Sequence, residues 1–149
     1  MASTDPSSAD RPHECPGPET SNRRLREQCQ LDFELDFFAR LLERDPLHPD
    51  ALRVHAGNLA ARGHYHRALQ FDRRLVRLQP ERPIPWYNLA CSYAVLGMHE
   101  PAITALQRAV ELGYRHIRWL CRDPDLKPLR DDPRFSDLIR RVFMGKRPT

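Results

Sequence analysis

The sequence predicts an all-α chain folded as a stack of helical hairpins, and three observations carry that prediction. Apolar residues recur at three- and four-residue steps in successive stretches, and no stretch shows the alternation of a strand. Glycine or proline closes each stretch. The chain also matches itself when shifted by thirty-four residues.

Taken in order, Leu31, Leu35, Phe38 and Leu42, with Phe37 and Leu41 beside them, give a first helix running from Asn22. Asp45-Pro46 stops it, because the residue before a proline disfavours the α conformation. Leu52, Ala56, Leu59 and Ala60 mark a second helix over Asp50–Arg62, and Gly63 ends it as a left-handed cap. A third runs Tyr65–Leu78 through Ala68, Leu69, Phe71 and Leu75, closed by Pro80. Ile84–Leu96 and His99–Leu112 repeat the arrangement, with Gly97 and Gly113 as stops. Pro101 sits in a first turn, where its missing N–H costs nothing.

The shift of thirty-four pairs Pro49 with Pro83, Leu52 with Trp86, Ala56 with Ala90, Leu59 with Tyr93 and Gly63 with Gly97. It also pairs Ala68 with Ala102, Leu75 with Ala109 and Leu78 with Leu112, and carries Pro80 back onto Pro46. One hairpin cannot bury its apolar face alone, so such units must stack.

The residue types resemble the tetratricopeptide repeat family. Trp86, Leu89, Ala90, Tyr93, Gly97, Ala102, Leu106 and Ala109 stand at its signature places, and Ala56, Gly63, Tyr65, Ala68 and Pro80 keep a degraded copy one repeat earlier. The earlier copy departs with Leu52 for the tryptophan, His55 for a leucine and Asp72 for a large apolar residue. The resemblance implies a right-handed superhelix whose first helices line a concave groove. That would place Arg53, Gly57 and Ala60 beside Ile84, Tyr87, Cys91 and Ala94. Asn88 matches the asparagine with which some members hold a peptide's C-terminal carboxylate, and Arg53, Arg118 and Arg122 fall near that clamp's basic residues. Gly57 replaces the clamp's other asparagine. Read without the family, these arginines are surface charge and Asn88 an inter-helix hydrogen bonder.

The run Arg122–Phe135, "RDPDLKPLRDDPRF", holds four aspartates and three prolines. Asp123-Pro124 and Asp132-Pro133 each set an N-cap acceptor before a proline at the first helical position, so capping is preferred to metal or acid–base chemistry. Leu126, Leu129 and Phe135 would then fold over the open face of the last hairpin as a terminal cap. Residues 113–135 also resemble the closing segment of a group of bacterial tetratricopeptide proteins.

The expected organisation is a disordered Pro/Ser-rich tail over 1–21, a helical domain over 22–143 and a basic flexible tail over 144–149. Within the domain, 22–46 is a half-repeat helix, 49–82 and 83–114 are repeats, and 115–143 are capping helices. Lys plus Arg is 24 against 20 for Asp plus Glu, a net charge of +4, which is a mild excess. Arg140, Arg141, Lys146 and Arg147 concentrate it at the C-terminus, so nucleic acid or an anionic surface is the second candidate partner after a protein or peptide. Cys15, Cys29, Cys91 and Cys121 form no C-x-x-C pair and show no zinc-like spacing. His64 and His66 are two apart and point to different sides of a helix. No phosphate loop, nucleophile elbow or H-E-x-x-H occurs. The reading is therefore a cytoplasmic, non-enzymatic interaction module with no cofactor, no metal and no membrane span. Deleting residues 1–21, which carry no core residue, is expected to leave the thermal midpoint unchanged within about 2 °C in a calorimetric scan.

Overall fold

A computed structural model describes residues 18–145, with side chains from residue 21. Most of the expected N-terminal tail and residues 146–149 of the expected basic tail lie outside the described residues. Seven α-helices follow one another: α1 (Pro18–Arg44), α2 (Pro49–Ala61), α3 (Tyr65–Leu78), α4 (Pro83–Val95), α5 (His99–Glu111), α6 (Ile117–Arg122) and α7 (Pro133–Phe143). A 3-10 helix, Pro124–Leu129, sits between the last two. Helix α1 thus begins ahead of Asn22. Each helix packs on the next from α1 to α5, which makes the described chain an all-α helical-hairpin solenoid. None of its helices is long and apolar enough to cross a membrane.

The hairpin turns are set by glycine. Gly63 and Gly97 have φ of 78° and 73°, values an L-residue rarely adopts. Around them His64 N–H donates to the Leu59 carbonyl at 2.8 Å and Met98 N–H to the Tyr93 carbonyl at 2.9 Å. These long return bonds satisfy carbonyls that a helix end would leave bare. Gly113 repeats the device at the end of α5, where Tyr114 N–H reaches the Ala109 carbonyl at 2.9 Å.

Ala56, Ala68, Ala90, Ala102 and Ala109 are all buried, as the small residues of close helix crossings should be. Two apolar clusters result. The smaller joins Leu42 of α1, Ala51 and Leu52 of α2 and Leu75 of α3, with Phe38, Leu41 and Phe71 packed on it. The larger runs from Leu69 and Val76 of α3 through α4 and α5 to Leu120, Leu126, Leu129, Phe135 and Leu138. The chain after α5 therefore covers the last hairpin. Asp123 and Asp132 are its N-caps: their carboxylates accept the amides of Asp125 at 3.0 Å and Arg134 at 2.9 Å. Arg134 also grips Glu100 at 2.8 Å, tying α7 to α5.

Trp86, at a signature place of the repeat, is not fully enclosed. Its ring is half-buried at the edge of the larger cluster, and Nε1 donates to the Pro80 carbonyl at 2.9 Å. An indole keeps its N–H where a partner exists, and the carbonyl just past α3 supplies one. In urea denaturation Trp86→Ala is expected to cost about 2 kcal/mol, less than the roughly 3–5 of a fully enclosed tryptophan. Leu106→Ala, at a fully buried site, is expected to cost about 3 kcal/mol. Asp132→Ala should lower the same midpoint through loss of the cap.

Candidate functional site

Helices α2 and α4 face each other across a cleft of about 270 Å³, floored by α3 and closed at one end by Asp123 and Asp125. The α2 wall is small: Gly57 and Ala60 stand three residues apart on one stripe, with Ala56 four before Ala60. A Cβ added at Gly57 would meet nothing within 4 Å, so the space above it is open. Tyr87, Asn88 and Cys91 of α4 form the opposite wall.

Polar contacts fix the far side and the floor. Tyr87 O–H donates to Asp123 Oδ2 at 2.6 Å, and its ring stacks on Tyr114 at 4.4 Å between centroids. Cys91 Sγ lies 3.9 Å from the same carboxylate oxygen. Burial first, then the charge of Asp123, raises the Cys91 thiol well above its ordinary value. A thiol so held stays protonated and is a poor nucleophile. Ser92 Oγ donates to Asp72 Oδ2 at 2.5 Å across the join between hairpins. Asp72 is only 4% exposed, and burial raises its carboxyl to about 6 against the opposing effect of Ser92. Asp125 is raised too, by burial and then by Asp123.

The cleft brings together Arg53, Gly57, Ala60, Tyr87, Asn88 and Cys91. The remaining groove candidates lie elsewhere. Ala94 is fully buried in the larger cluster, and Ile84 is exposed beyond the cleft. Arg118 and Arg122 face α7, where they border an apolar hollow with Ile117, Ile139, Arg140 and Phe143. Helix α6 is short at that point for a physical reason. Pro124 ends α6 after six residues, and the chain turns so that Asp123, not an arginine, reaches the cleft.

Three carboxylates thus belong to the cleft that the repeat pattern did not place there. Asp72 carried a signal, as a charged residue where the repeat expects an apolar one. Asp123 was legible only as a cap, and its second task follows from the turn after α6. Among the described residues no group of three or more His, Cys, Asp or Glu side chains is placed to hold a metal ion.

No family model matches the chain. It is 31% identical over 81 residues to a chloroplastic protein of Arabidopsis thaliana, covering 52% of this chain and 24% of that protein. It is 29% identical over 90 residues to the Cell division cycle protein 16 homolog of Mus musculus, covering 58% and 14% respectively. The Homo sapiens protein of that name is 32% identical over 73 residues, covering 48% of this chain and 12% of the relative. The chain therefore spans about a quarter or less of the curated relatives it matches. These partial matches and the stacked hairpins fit a tetratricopeptide-like protein.

The raised carboxyl of Asp72 has a measurable consequence. Its folded value, about 6, exceeds the ordinary 3.8 that it regains in an unfolded chain. The stability it contributes is then complete below the unfolded value and is lost as pH rises through the folded one. Asp72→Asn, which keeps an oxygen for Ser92, should match the wild type near the unfolded value. At pH 7 it should be more stable by about 2–3 kcal/mol, read from denaturant titrations at several pH values.

Proposed function

We propose that this protein is a non-enzymatic interaction module that holds a segment of a partner protein in the cleft between α2 and α4. The observation that carries the reading is the wall of small residues, Gly57 and Ala60, facing an aromatic and an amide, Tyr87 and Asn88, across an open space. Small residues leave room for a ligand backbone, while an aromatic wall supplies contact area at low entropic cost. The fit to tetratricopeptide-like proteins supports this, as does the stacked architecture, which presents extended concave surfaces. In this reading 22–46 is a half-repeat, 49–82 and 83–114 are full repeats and 115–143 is the cap. The bacterial character of the closing segment rests on the likeness of residues 113–135 alone.

A second reading comes from the C-terminal face. Arg118, Arg122 and Arg140 ring the apolar hollow of Ile117, Ile139 and Phe143, and Trp119 is exposed nearby. A nucleic acid or another anionic surface would find cations there, and its binding would weaken steeply with salt.

The test is selection of binders from a random peptide library on the immobilised protein, followed by competition with Gly57→Trp. A Cβ at Gly57 meets open space, and a side chain suits a helix interior better than glycine does, so the added ring is expected to occupy the cleft with the helices kept. Selected peptides are expected to bind the wild type and to lose about tenfold or more on Gly57→Trp, in line with removal of a central contact. Equal binding to both proteins would move the interaction site away from the cleft. Loss on raising salt, together with sensitivity to Arg118→Ala, would favour the second reading.

A further inference from the structure

We propose that the cleft selects a positively charged partner segment, seating an arginine or lysine side chain against Asp72, Asp123 and Asp125. The inference rests on the reading of the cleft as the interaction site and names the chemistry of its ligand. A carboxylate clamp is the opposite expectation, and the charges that line the space argue against it.

Asp72 is the deciding residue. It lies on the floor of the cleft at 4% exposure, on the second helix of its hairpin where an apolar side chain would pack. Its Oδ2 accepts from Ser92, a neutral donor, and its Oδ1 has no hydrogen-bond donor among the described residues. A carboxylate in that position has no counter-charge among the described residues, an arrangement that costs free energy and that a cationic ligand would offset. Asp125 likewise has no side-chain donor among the described residues, and Asp123 is held by Tyr87 and by the Asp125 amide.

Among the described residues Arg53 is the one cation lining the cleft. It is exposed at the rim and takes part in none of the ion pairs found among the described residues. Three carboxylates therefore face the space against one arginine. A carboxylate-bearing ligand would meet like charge, whereas a guanidinium brings five N–H donors and an ammonium three. The buried floor strengthens attraction to an opposite charge as much as repulsion of a like one. A metal ion is not the ligand this geometry fits, because the carboxylates do not converge on one coordination point. A cation on a flexible methylene stem can reach between them from a backbone lying along Gly57 and Ala60.

The experiment is an NMR titration of the full chain with an arginine pentapeptide, Ala-Ala-Arg-Ala-Ala, acetylated and amidated so that it carries no terminal charge. Three counterparts replace the arginine with lysine, with neutral citrulline or with glutamate. Amide shifts at Gly57, Asn88 and Ser92 are expected with the arginine and lysine peptides. The citrulline peptide should bind about tenfold more weakly, the loss of one charge-assisted hydrogen-bond set. Asp72→Asn and Asp125→Asn should each weaken the arginine peptide about tenfold as well. Asp72→Asn should do so while raising the thermal midpoint, a pairing that a merely structural residue would not give.

Equal binding of the arginine and citrulline peptides at those amides overturns the charge preference and leaves the cleft as the interaction site. Tighter binding of the glutamate peptide overturns it in favour of Arg53 as the anchor. Absence of any shift with all four peptides at millimolar concentration also overturns it. If library-selected peptides still respond to Gly57→Trp in that case, the interaction site stands without its cation.

Discussion

Helix α4 must satisfy three neighbours at once, and the rest of the structure is arranged around that constraint. It packs on α3, on α5 and on the 3-10 helix after α6, and Pro85, Leu89, Ala90, Ser92 and Ala94 are all buried along it. A helix so surrounded can carry polar groups only where a neighbour meets each one. Ser92 reaches Asp72 on α3, Trp86 reaches the carbonyl of Pro80, Tyr93 receives the guanidinium of Arg73 at 3.1 Å, and Tyr87 reaches Asp123. The register of both hairpins and of the closing segment is therefore written into one side chain after another on α4.

The same requirement explains how the chain after α5 finds its place. Leu126 and Leu129 are fully buried, and the 3-10 helix that carries them lies directly on α4. Asp123 serves two purposes within one carboxylate: Oδ1 starts the 3-10 helix and Oδ2 receives Tyr87. A residue that looks like a local helix-starting device thus also fastens the end of the chain to the second hairpin.

Much of this was legible in the sequence. Apolar spacing and the glycine and proline stops place the hairpin helices within a residue or two, because helix ends obey local rules that a single chain displays. The offset of thirty-four residues gives the stacking. What local rules do not contain is the direction of the chain after Asp123. The Asp123-Pro124 break marks where α6 stops, but not that Arg118 and Arg122 then border the hollow against α7. The cleft side chains contributed by α2 and α4 were accessible through the repeat, whereas the carboxylates that set its charge were not. His55 shows the same boundary. It fills a leucine's place at 2% exposure, edge-on to Phe71 at 4.7 Å, and its Nδ1 has no partner among the described residues, which spacing alone could not disclose.

The division of the apolar interior bears on how the molecule opens. Stability in a linear stack is approximately a sum over neighbouring units, so its ends and its seams exchange with solvent more readily than its centre. Here α1 and α2 share the smaller cluster, α4 to α7 share the larger, and α3 contributes Leu75 to one and Leu69 and Val76 to the other. Helix α1 adds little beyond its second half, since residues 21–30 are exposed along its length. The two walls of the cleft thus rest on different apolar clusters, with α3 as the shared axis beneath them. The width of that space is then a property of a seam rather than of a rigid block, and slow amide exchange should fall away from α4 towards α1.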